Sequence, residues 1–295
     1  MREKFKSFAK INLFLYVTAK RADGYHNLYS LMTKIGLCDD IYIDYTKSGI
    51  SVTCDYPGVP EDDSNLACKA AVMFFCSLKA KGCKKKGLSI EIIKQIPPGG
   101  GLGGGSSNAA TVLQALNKAY QKPFSKAELM SMGLRLGADV PFFIFGGPAI
   151  ARGVGERLEK IRGLRPYHLV LCDPGIASST ADVYKNIEFQ LTPNQKYTMN
   201  TGLNVLLRGR EFDVRGLMHN DLEESACRLY PEIKETKEEM ALLLHRKVFM
   251  TGSGSSLFAL FSAGENARKG YERLLKKWAG SNKKVFLSSF NKKNV

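Results

Sequence analysis

Hydrophobic and polar positions along the chain alternate between the period of a strand and the period of a helix. Residues 8–15 alternate as in a strand, with Lys10 and Asn12 on one face and aliphatic side chains on the other. Apolar residues recur at helical spacing over 64–80 and 109–116. Strand and helix patterns mixed in this way predict an α+β protein.

The rest of the pattern predicts shorter elements that continue through the second half of the chain. Ser125 and Glu128 form the capping-box pattern that opens a further helix. A segment rich in glycine and arginine near 155–166 predicts a boundary between two domains, 1–155 and 156–295. Further strands are predicted at 28–37, 41–45, 50–54, 88–92, 142–145, 149–152, 168–172, 248–251, 257–261 and 285–290. Further helices are predicted at 180–187, 198–208, 219–228, 231–244 and 265–278.

Composition narrows the class of protein. Hydrophobic residues make up 44% and charged residues 24% of the 295 residues, which is typical of a folded globular chain and excludes wholesale disorder. No apolar run approaches the ~18 residues of a membrane span, and the basic N-terminus lacks a secretory cleavage site. Seven cysteines without a CxxC pair predict reduced thiols, and four scattered histidines define no metal ligand set. We therefore expect a cytoplasmic protein.

The formal net charge of +15 is compatible with nucleic acid, an anionic membrane surface or anionic small molecules as partners. Single-strand binders interleave aromatic residues with their basic ones, and the densest basic cluster of this chain has none. That cluster consists of Lys79, Lys81, Lys84, Lys85 and Lys86. A solvated turn is therefore favoured for it, and no nucleic-acid partner is predicted.

A glycine loop is the strongest local signal in the sequence. Six of the seven residues 99–105 are glycine, and the loop lies between a predicted strand and an amphipathic helix. Without Cβ atoms the backbone can approach a phosphate closely, and the helix N-terminus adds positive potential. Ser106 and Ser107 are placed to cap that helix, and either hydroxyl could bind phosphate or Mg²⁺. The Walker GK[ST] sequence and the protein-kinase HRD and DFG motifs are absent.

The glycine loop and three further segments together resemble the GHMP small-molecule kinases, which include galactokinase, homoserine kinase and mevalonate kinase. The further segments are AKINL at 9–13 with GYHNL at 24–28, LGADVPFF at 136–143, and FMTGSGSSL at 249–257. They occur in the family's order and cover most of the chain. The resemblance implies an N-terminal domain like ribosomal protein S5 domain 2, a ferredoxin-like C-terminal domain, and ATP-dependent phosphorylation of an alcohol with Mg²⁺.

The same resemblance implies roles for individual residues. Asp139 would take the proton from the acceptor hydroxyl, and Lys10 would keep that carboxylate ionised and offset charge on the phosphoryl group. The implied ATP contacts are Pro97, Pro98, Gly99, Gly100, Gly101, Leu102, Gly103, Gly104, Gly105, Ser106, Ser107, Asn108, Ala109 and Asn65, the last of which is equally suited to cap a helix. The implied acceptor contacts are Asn12, Tyr25, His26, Thr180 and Tyr184.

Tyr25 and His26 after a tight turn suggest which acceptor is used. Two aromatic faces and an imidazole suit a cytosine base, so the resemblance implies a cytidine diphosphate-linked polyol in isoprenoid precursor synthesis. Alternatives are a homoserine or mevalonate type of kinase, a basic S5-like nucleic-acid-binding protein, and an inactive nucleotide sensor. The chain departs from the family pattern at Ser255-Ser256 and at Ala181, and no acidic residue stands out as a dedicated Mg²⁺ ligand.

Overall fold

The computed structural model describes residues 2–46, 48–81, 87–187 and 211–290. Helices and strands are mixed throughout these ranges, which confirms the α+β prediction. The chain divides into two compact units. The first comprises Met1–Ala9, Leu37–Pro98 and Gly103–Gly146, and the second comprises Lys10–Gly36, Gly99–Leu102 and Gly147–Val295. The predicted domain boundary near residue 155 stays a prediction.

The elements are numbered in chain order. The strands are β1 (Arg2–Lys20), β2 (His26–Asp44), β3 (Ile50–Cys54), β4 (Leu88–Ile93), β5 (Ala149–Gly153), β6 (Arg157–Lys160), β7 (His168–Asp173), β8 (His219–Asn220), β9 (Phe249–Met250), β10 (Leu257–Phe261) and β11 (Lys284–Ser289). The helices are α1 (Leu66–Ala80), α2 (Gly104–Ala119), α3 (Lys126–Leu136), α4 (Val140–Phe145), α5 (Thr180–Lys185), α6 (Leu222–Leu229), α7 (Pro231–Leu244) and α8 (Gly264–Lys277).

The first unit contains α1 to α4 together with β3, β4 and the last residues of β2. β3 pairs in parallel with β4, and β4 pairs antiparallel with the last residues of β2, where Asp40 is opposite Ile93. Phe74 of α1 meets Phe124 edge to face, which ties α1 to the segment before α3. The predicted capping box is confirmed, because Ser125 and Glu128 each bond the other's backbone N–H.

The second unit contains a four-stranded antiparallel sheet in the order β11-β7-β10-β9. The first residues of β2 pair with β5, with Leu28 opposite Gly153, and β8 adds to β1 in parallel. Alternate residues of β7 and β10 pack against α6, α7 and α8 in one apolar core that includes Val170, Leu222 and Met240. This core supports the strands and loops that carry the candidate site in this unit.

The structure corrects three local predictions. Residues 142–145 form the end of a helix, α4, and not a strand. The two strands predicted at 28–37 and 41–45 are one strand, β2, because Asp39 and Asp40 bond other elements instead of turning the chain. The helix predicted at 219–228 begins only at Leu222, after the short strand β8.

Two other sequence features lie outside the described residues, namely the helix predicted at 198–208 and the lysines at 84–86. The six cysteines within the described ranges all carry free thiols. None of the helices in those ranges combines the length and apolarity needed to cross a membrane.

Candidate active site

Lys10 is the buried centre of a polar group in the second unit. Its side chain lies in β1 with only 4% of the residue exposed, so it is not a solvated strand lysine. The Lys10 ammonium donates to Oδ1 of Asn12 at 2.7 Å, and the Asn12 amide donates to Oγ of Ser30 at 2.8 Å. The backbone N–H of Asn12 donates to Oγ1 of Thr251 at 2.9 Å. The ammonium is therefore held in place by neighbours that fix its position along β1.

The glycine loop segment 99–102 is bound on two sides within the same unit. The Lys10 N–H donates to the Leu102 carbonyl at 3.0 Å, and the Ser256 N–H donates to the Gly100 carbonyl at 3.2 Å. Gly101 has φ +73°, and a Cβ there would overlap the Thr251 carbonyl oxygen and lie 3.0 Å from that of Gly254. Glycine is thus required at 101 by the protein's own backbone, whatever ligand the loop binds.

The loop at 251–256, between β9 and β10, is a junction that the sequence pattern alone did not reveal. Its own turn is closed by the Thr251 N–H, which donates to the Ser256 carbonyl at 3.0 Å. Oγ of Ser253 bonds Oγ1 of Thr180 at 2.8 Å, and Oγ of Ser255 donates to the Ile176 carbonyl at 2.7 Å. The loop therefore joins β1, the glycine loop and the segment before α5.

Helix α2 starts earlier than the two serines that were predicted to cap it. Its N-cap is Gly103, with φ +69° and no side-chain cap, so the capping role predicted for Ser106 and Ser107 is wrong. The Ser107 hydroxyl is buried, donates to the Phe8 carbonyl at 2.7 Å and accepts from Ser7 at 2.8 Å. Ser106 lies in the first turn, where it is half-buried. Of the two hydroxyls, that of Ser106 is the one not enclosed by the fold.

A buried ion pair braces the flanks of the glycine loop in the first unit. Lys94 lies 2.6 Å from Oδ2 of Asp39, whose Oδ1 accepts from the N–H groups of Gln95 and Ile96 at 2.8 Å. The Asn108 amide donates to the same carboxylate at 2.9 Å. Asn108 was predicted to contact ATP; its side chain supports the loop, and the direct contact stays a prediction. No local pattern pointed to Asp39 or Lys94, since their partners are distant in the chain.

Asp139 occupies the N-cap position of α4 but makes no capping bond with its side chain. The residue is half-buried, and Pro141 in the first turn suits a helix start. The segment before it passes close to α2, because a Cβ on Gly137 would lie 3.7 Å from Oγ of Ser106. The first unit thus brings the Asp139 segment beside the helix that follows the glycine loop.

Four other residues were predicted to contact ATP, and the structure places each of them beside the glycine loop or at the start of α1. Asn65 caps α1, accepting from the Ala67 N–H at 2.9 Å and donating to the Pro60 carbonyl at 2.7 Å. Its predicted contact with ATP remains untested. Pro97 and Ala109 are buried on either side of the loop, whereas Pro98 is exposed.

The predicted acceptor residues are partly assembled in the second unit. The rings of His26 and Tyr184 stack, with centroids 5.1 Å apart and planes 24° apart. Burial lowers the pKa of His26 below its ordinary value, and the nearby Lys20 lowers it further. Tyr25 is 62% exposed, so its ring is accessible to a ligand. Thr180, at the start of α5, uses its hydroxyl on Ser253.

Known protein families and relatives match this chain over most of its length. The family described as GHMP kinases N terminal domain matches residues 65–147, and GHMP kinases C terminal matches 206–280. A 4-diphosphocytidyl-2-C-methyl-D-erythritol kinase of Geobacter sp. (strain M21) is 42% identical, over 88% of this chain and 90% of the relative. The enzyme of that name from Syntrophotalea carbinolica is 41% identical, over 92% of this chain and 94% of the relative.

One solved structure is similar to this chain over nearly its whole length. The crystal structure of a 4-(cytidine 5'-diphospho)-2C-methyl-D-erythritol kinase superposes with a TM-score of 0.76 and 35% sequence identity. The match covers 98% of this chain and 99% of the solved chain.

Proposed function

We propose that this chain, which belongs to the GHMP kinase family, phosphorylates the 2-hydroxyl of 4-diphosphocytidyl-2-C-methyl-D-erythritol with ATP. The chain is an ATP-dependent small-molecule kinase with the GHMP kinase fold. The acceptor is the one named for relatives that are 41–42% identical over most of the chain. Its phosphorylation is a step toward isoprenoid precursors, and the homoserine and mevalonate alternatives are not favoured.

The glycine loop is proposed to bind the ATP phosphates. Its backbone N–H groups and the N-terminus of α2 attract an anion, and the loop is held in place before any ligand arrives. The observation that carries the proposal is that Lys10 bonds both the glycine loop and a residue of the proposed acceptor site. Its backbone bonds Leu102 of the loop, and its ammonium bonds Asn12 of the proposed acceptor site. A rigid link of this kind suits a reaction that depends on positioning.

Asp139 is proposed to accept the proton of the acceptor hydroxyl as the phosphoryl group is transferred in line. A positioned carboxylate can act as the general base that takes this proton. The Lys10 ammonium is proposed to offset charge on the transferring group. These roles rest on the family resemblance together with the burial and hydrogen bonding of each residue in its own unit.

Mg²⁺ is proposed to enter with ATP and to neutralise charge on the β and γ phosphates. Mg²⁺ sites in kinases commonly use only one or two protein oxygens besides phosphates and water. Within the described ranges, no three His, Cys, Asp or Glu side chains cluster as a preformed metal site. The half-buried Ser106 hydroxyl is an oxygen donor that fits this limited role, whereas the hydroxyl of Ser107 is already engaged.

The cytosine base is proposed to bind beside the His26–Tyr184 stack, with the exposed ring of Tyr25 as a second face. A neutral imidazole offers one donor and one acceptor to a base edge, and the lowered pKa of His26 favours that neutral form. The net charge of +15 suits two polyanionic substrates. A cytoplasmic location is proposed because reduced cysteines and ATP are both usual there.

An acceptor panel tests the proposal. Initial rates should be measured with the cytidine diphosphate acceptor, methylerythritol, its monophosphate, homoserine and mevalonate. We expect high activity on the first alone, since binding of the remote base positions the hydroxyl. Tyr25→Ala should raise KM for this acceptor and spare KM for ATP. Efficient use of homoserine or mevalonate, or equal use of an acceptor without the base, would refute the proposal.

A further inference from the structure

Asn220 connects the end of β8 to the backbone of the loop at 251–256. Its side-chain amide donates to the Gly252 carbonyl at 2.8 Å and to the Met250 carbonyl at 3.0 Å. Its side-chain oxygen accepts the N–H of Leu222 at 3.0 Å, at the start of α6. One side chain therefore fixes the carbonyl groups of the residues on both sides of Thr251.

This set of bonds requires an amide side chain of this length. Two of the three partners are carbonyl oxygens, which need donors, and the third is an N–H, which needs an acceptor. An aspartate has the same shape but would direct a carboxylate at two carbonyl oxygens. An alanine would remove the donor from the carbonyls of the buried Met250 and Gly252 but would place no charge against them. Asn220→Asp should therefore disturb the 250–252 backbone more than Asn220→Ala, because the carboxylate would be repelled by the two carbonyl oxygens.

Residues 250–252 lie against both the glycine loop and the Lys10–Asn12 pair. Thr251 accepts the Asn12 N–H through its hydroxyl, and its carbonyl lies against Gly101. A Cβ built on Gly252 would lie 3.0 Å from the Gly101 carbonyl oxygen and 3.4 Å from the Lys10 ammonium. A shift of the 250–252 backbone would therefore be transmitted to the glycine loop and to Lys10 together.

We infer that Asn220 is a positioning residue for phosphoryl transfer, acting through Thr251 and Gly252 on the glycine loop and on the Lys10–Asn12 pair. The expected effect on kcat and KM rests on the proposed function. The structural step, in which Asn220 holds the 250–252 backbone, does not. Asn220 is anchored independently of the loop, because β8 pairs with β1 and the Asp221 N–H donates to the Leu15 carbonyl at 2.9 Å. Asn220 thus ties the loop at 251–256, which follows the two-residue strand β9, to the position of β1.

Asn220→Ala is the test variant, and Asn117→Ala is the matched control. Asn117 is buried, and like Asn220 its side chain bridges a carbonyl and an N–H, in this case both of Phe124. It lies near the far end of the 16-residue α2, a helix about 24 Å long, from the glycine loop. Both variants should lose thermal stability. Only Asn220→Ala should lower kcat and raise KM for ATP, with kcat/KM roughly 10- to 100-fold lower, as expected for misplaced groups.

A loss of folded protein lowers apparent kcat without changing KM, so the KM for ATP separates positioning from mere stability. Asn220→Asp should be affected more strongly than Asn220→Ala, and if it does not fold, the alanine pair alone decides. Kinetics of Asn220→Ala that match those of Asn117→Ala would overturn the inference.

Hydrogen exchange provides a readout that does not depend on activity. The Asn12 amide should exchange faster in Asn220→Ala than in the wild type or in Asn117→Ala, because its acceptor is Thr251. Unchanged exchange would refute the structural step. Suppose the Asn12 amide exchanges faster in Asn220→Ala, but the wild type does not phosphorylate the acceptor. The structural step would then hold, and the proposed function would be wrong.

Discussion

Lys94 lies 2.6 Å from Asp39, and the two side chains are only 4% and 0% exposed. A Cβ built on Gly104 would be 2.8 Å from the Lys94 ammonium, so the pair lies directly beneath the first residue of α2. The same carboxylate accepts backbone N–H groups from one flank of the glycine loop and the Asn108 amide from the other. The ion pair therefore fixes both flanks of the loop to β2.

Asp39→Asn should be strongly destabilising. The Lys94 ammonium would remain buried without its counter-charge, which typically costs about 3 kcal/mol or more. We expect the free energy of unfolding, measured by urea denaturation at pH 7, to fall by that amount. The double variant Asp39→Asn with Lys94→Met should recover part of the loss, because it removes the uncompensated charge. A single variant as stable as the wild type, or a double variant less stable than the single one, would contradict this.

Two glycines of the loop provide a matched pair of substitutions. Gly99 and Gly101 have φ +75° and +73°, so alanine at either incurs a similar backbone strain of about 1 kcal/mol. Only at Gly101 does a Cβ meet other atoms, those of Thr251 and Gly254. Gly101→Ala should therefore cost at least about 1 kcal/mol more than Gly99→Ala in urea unfolding, and it should also weaken ATP binding. Equal stability of the two variants would show that the loops do not pack as described.

His26 should make the stability depend on pH. Because burial lowers its pKa, the folded protein binds a proton less readily than the unfolded chain. Its contribution is therefore complete above the ordinary histidine pKa of about 6.5 and is lost as the pH falls below it. We expect the wild type to lose more stability than His26→Gln between pH 7.5 and 5.5 in urea unfolding. Parallel pH profiles for the two proteins would rule this out.

Two adjacent serines in the loop at 251–256 should respond differently to alanine. Oγ of Ser255 donates to the Ile176 carbonyl, so Ser255→Ala should cost about 1 kcal/mol. Oγ of Ser256 is buried and has no hydrogen-bond partner among the described residues. Ser256→Ala should therefore leave the free energy of unfolding unchanged or raise it. The reverse order in thermal or urea unfolding would be inconsistent with these contacts.

The sequence predicted those parts of the molecule that are specified locally. The capping box at Ser125 and Glu128 spans only three residues, and both of its hydrogen bonds form. The glycine loop followed by α2 was equally visible, because a run of glycine directly before an amphipathic stretch marks a loop that leads into a helix. The capping box was predictable because sequence neighbours make its hydrogen bonds, and the glycine loop because its composition is distinctive, although distant residues hold it in place.

Features that depend on distant partners could not be predicted in this way. Asp39 and Asn108 are 69 residues apart, and Asn220 and Gly252 are 32 apart. Two strands were predicted on either side of Asp39 and Asp40, whereas the Asp39 carboxylate accepts the N–H groups of Gln95 and Ile96 and the strand continues. The apolar run at 142–145 shows neither the strand nor the helix period. Pro141 before it and Gly146 after it are typical of the start and the end of a helix, and in the structure they flank the short helix α4 in this way.

The proposed mechanism is tested most directly by the single-turnover rate of phosphoryl transfer from ATP to 4-diphosphocytidyl-2-C-methyl-D-erythritol in Asp139→Asn. Loss of a general base should lower this rate by about 100-fold or more, with the affinities for ATP and acceptor little changed. Asp44→Asn is the control, because an amide oxygen at the end of β2 can still accept from Thr46. Its rate should equal that of the wild type. An Asp139→Asn rate within a few-fold of the wild type would contradict the proposed role of this carboxylate and, with it, the mechanism.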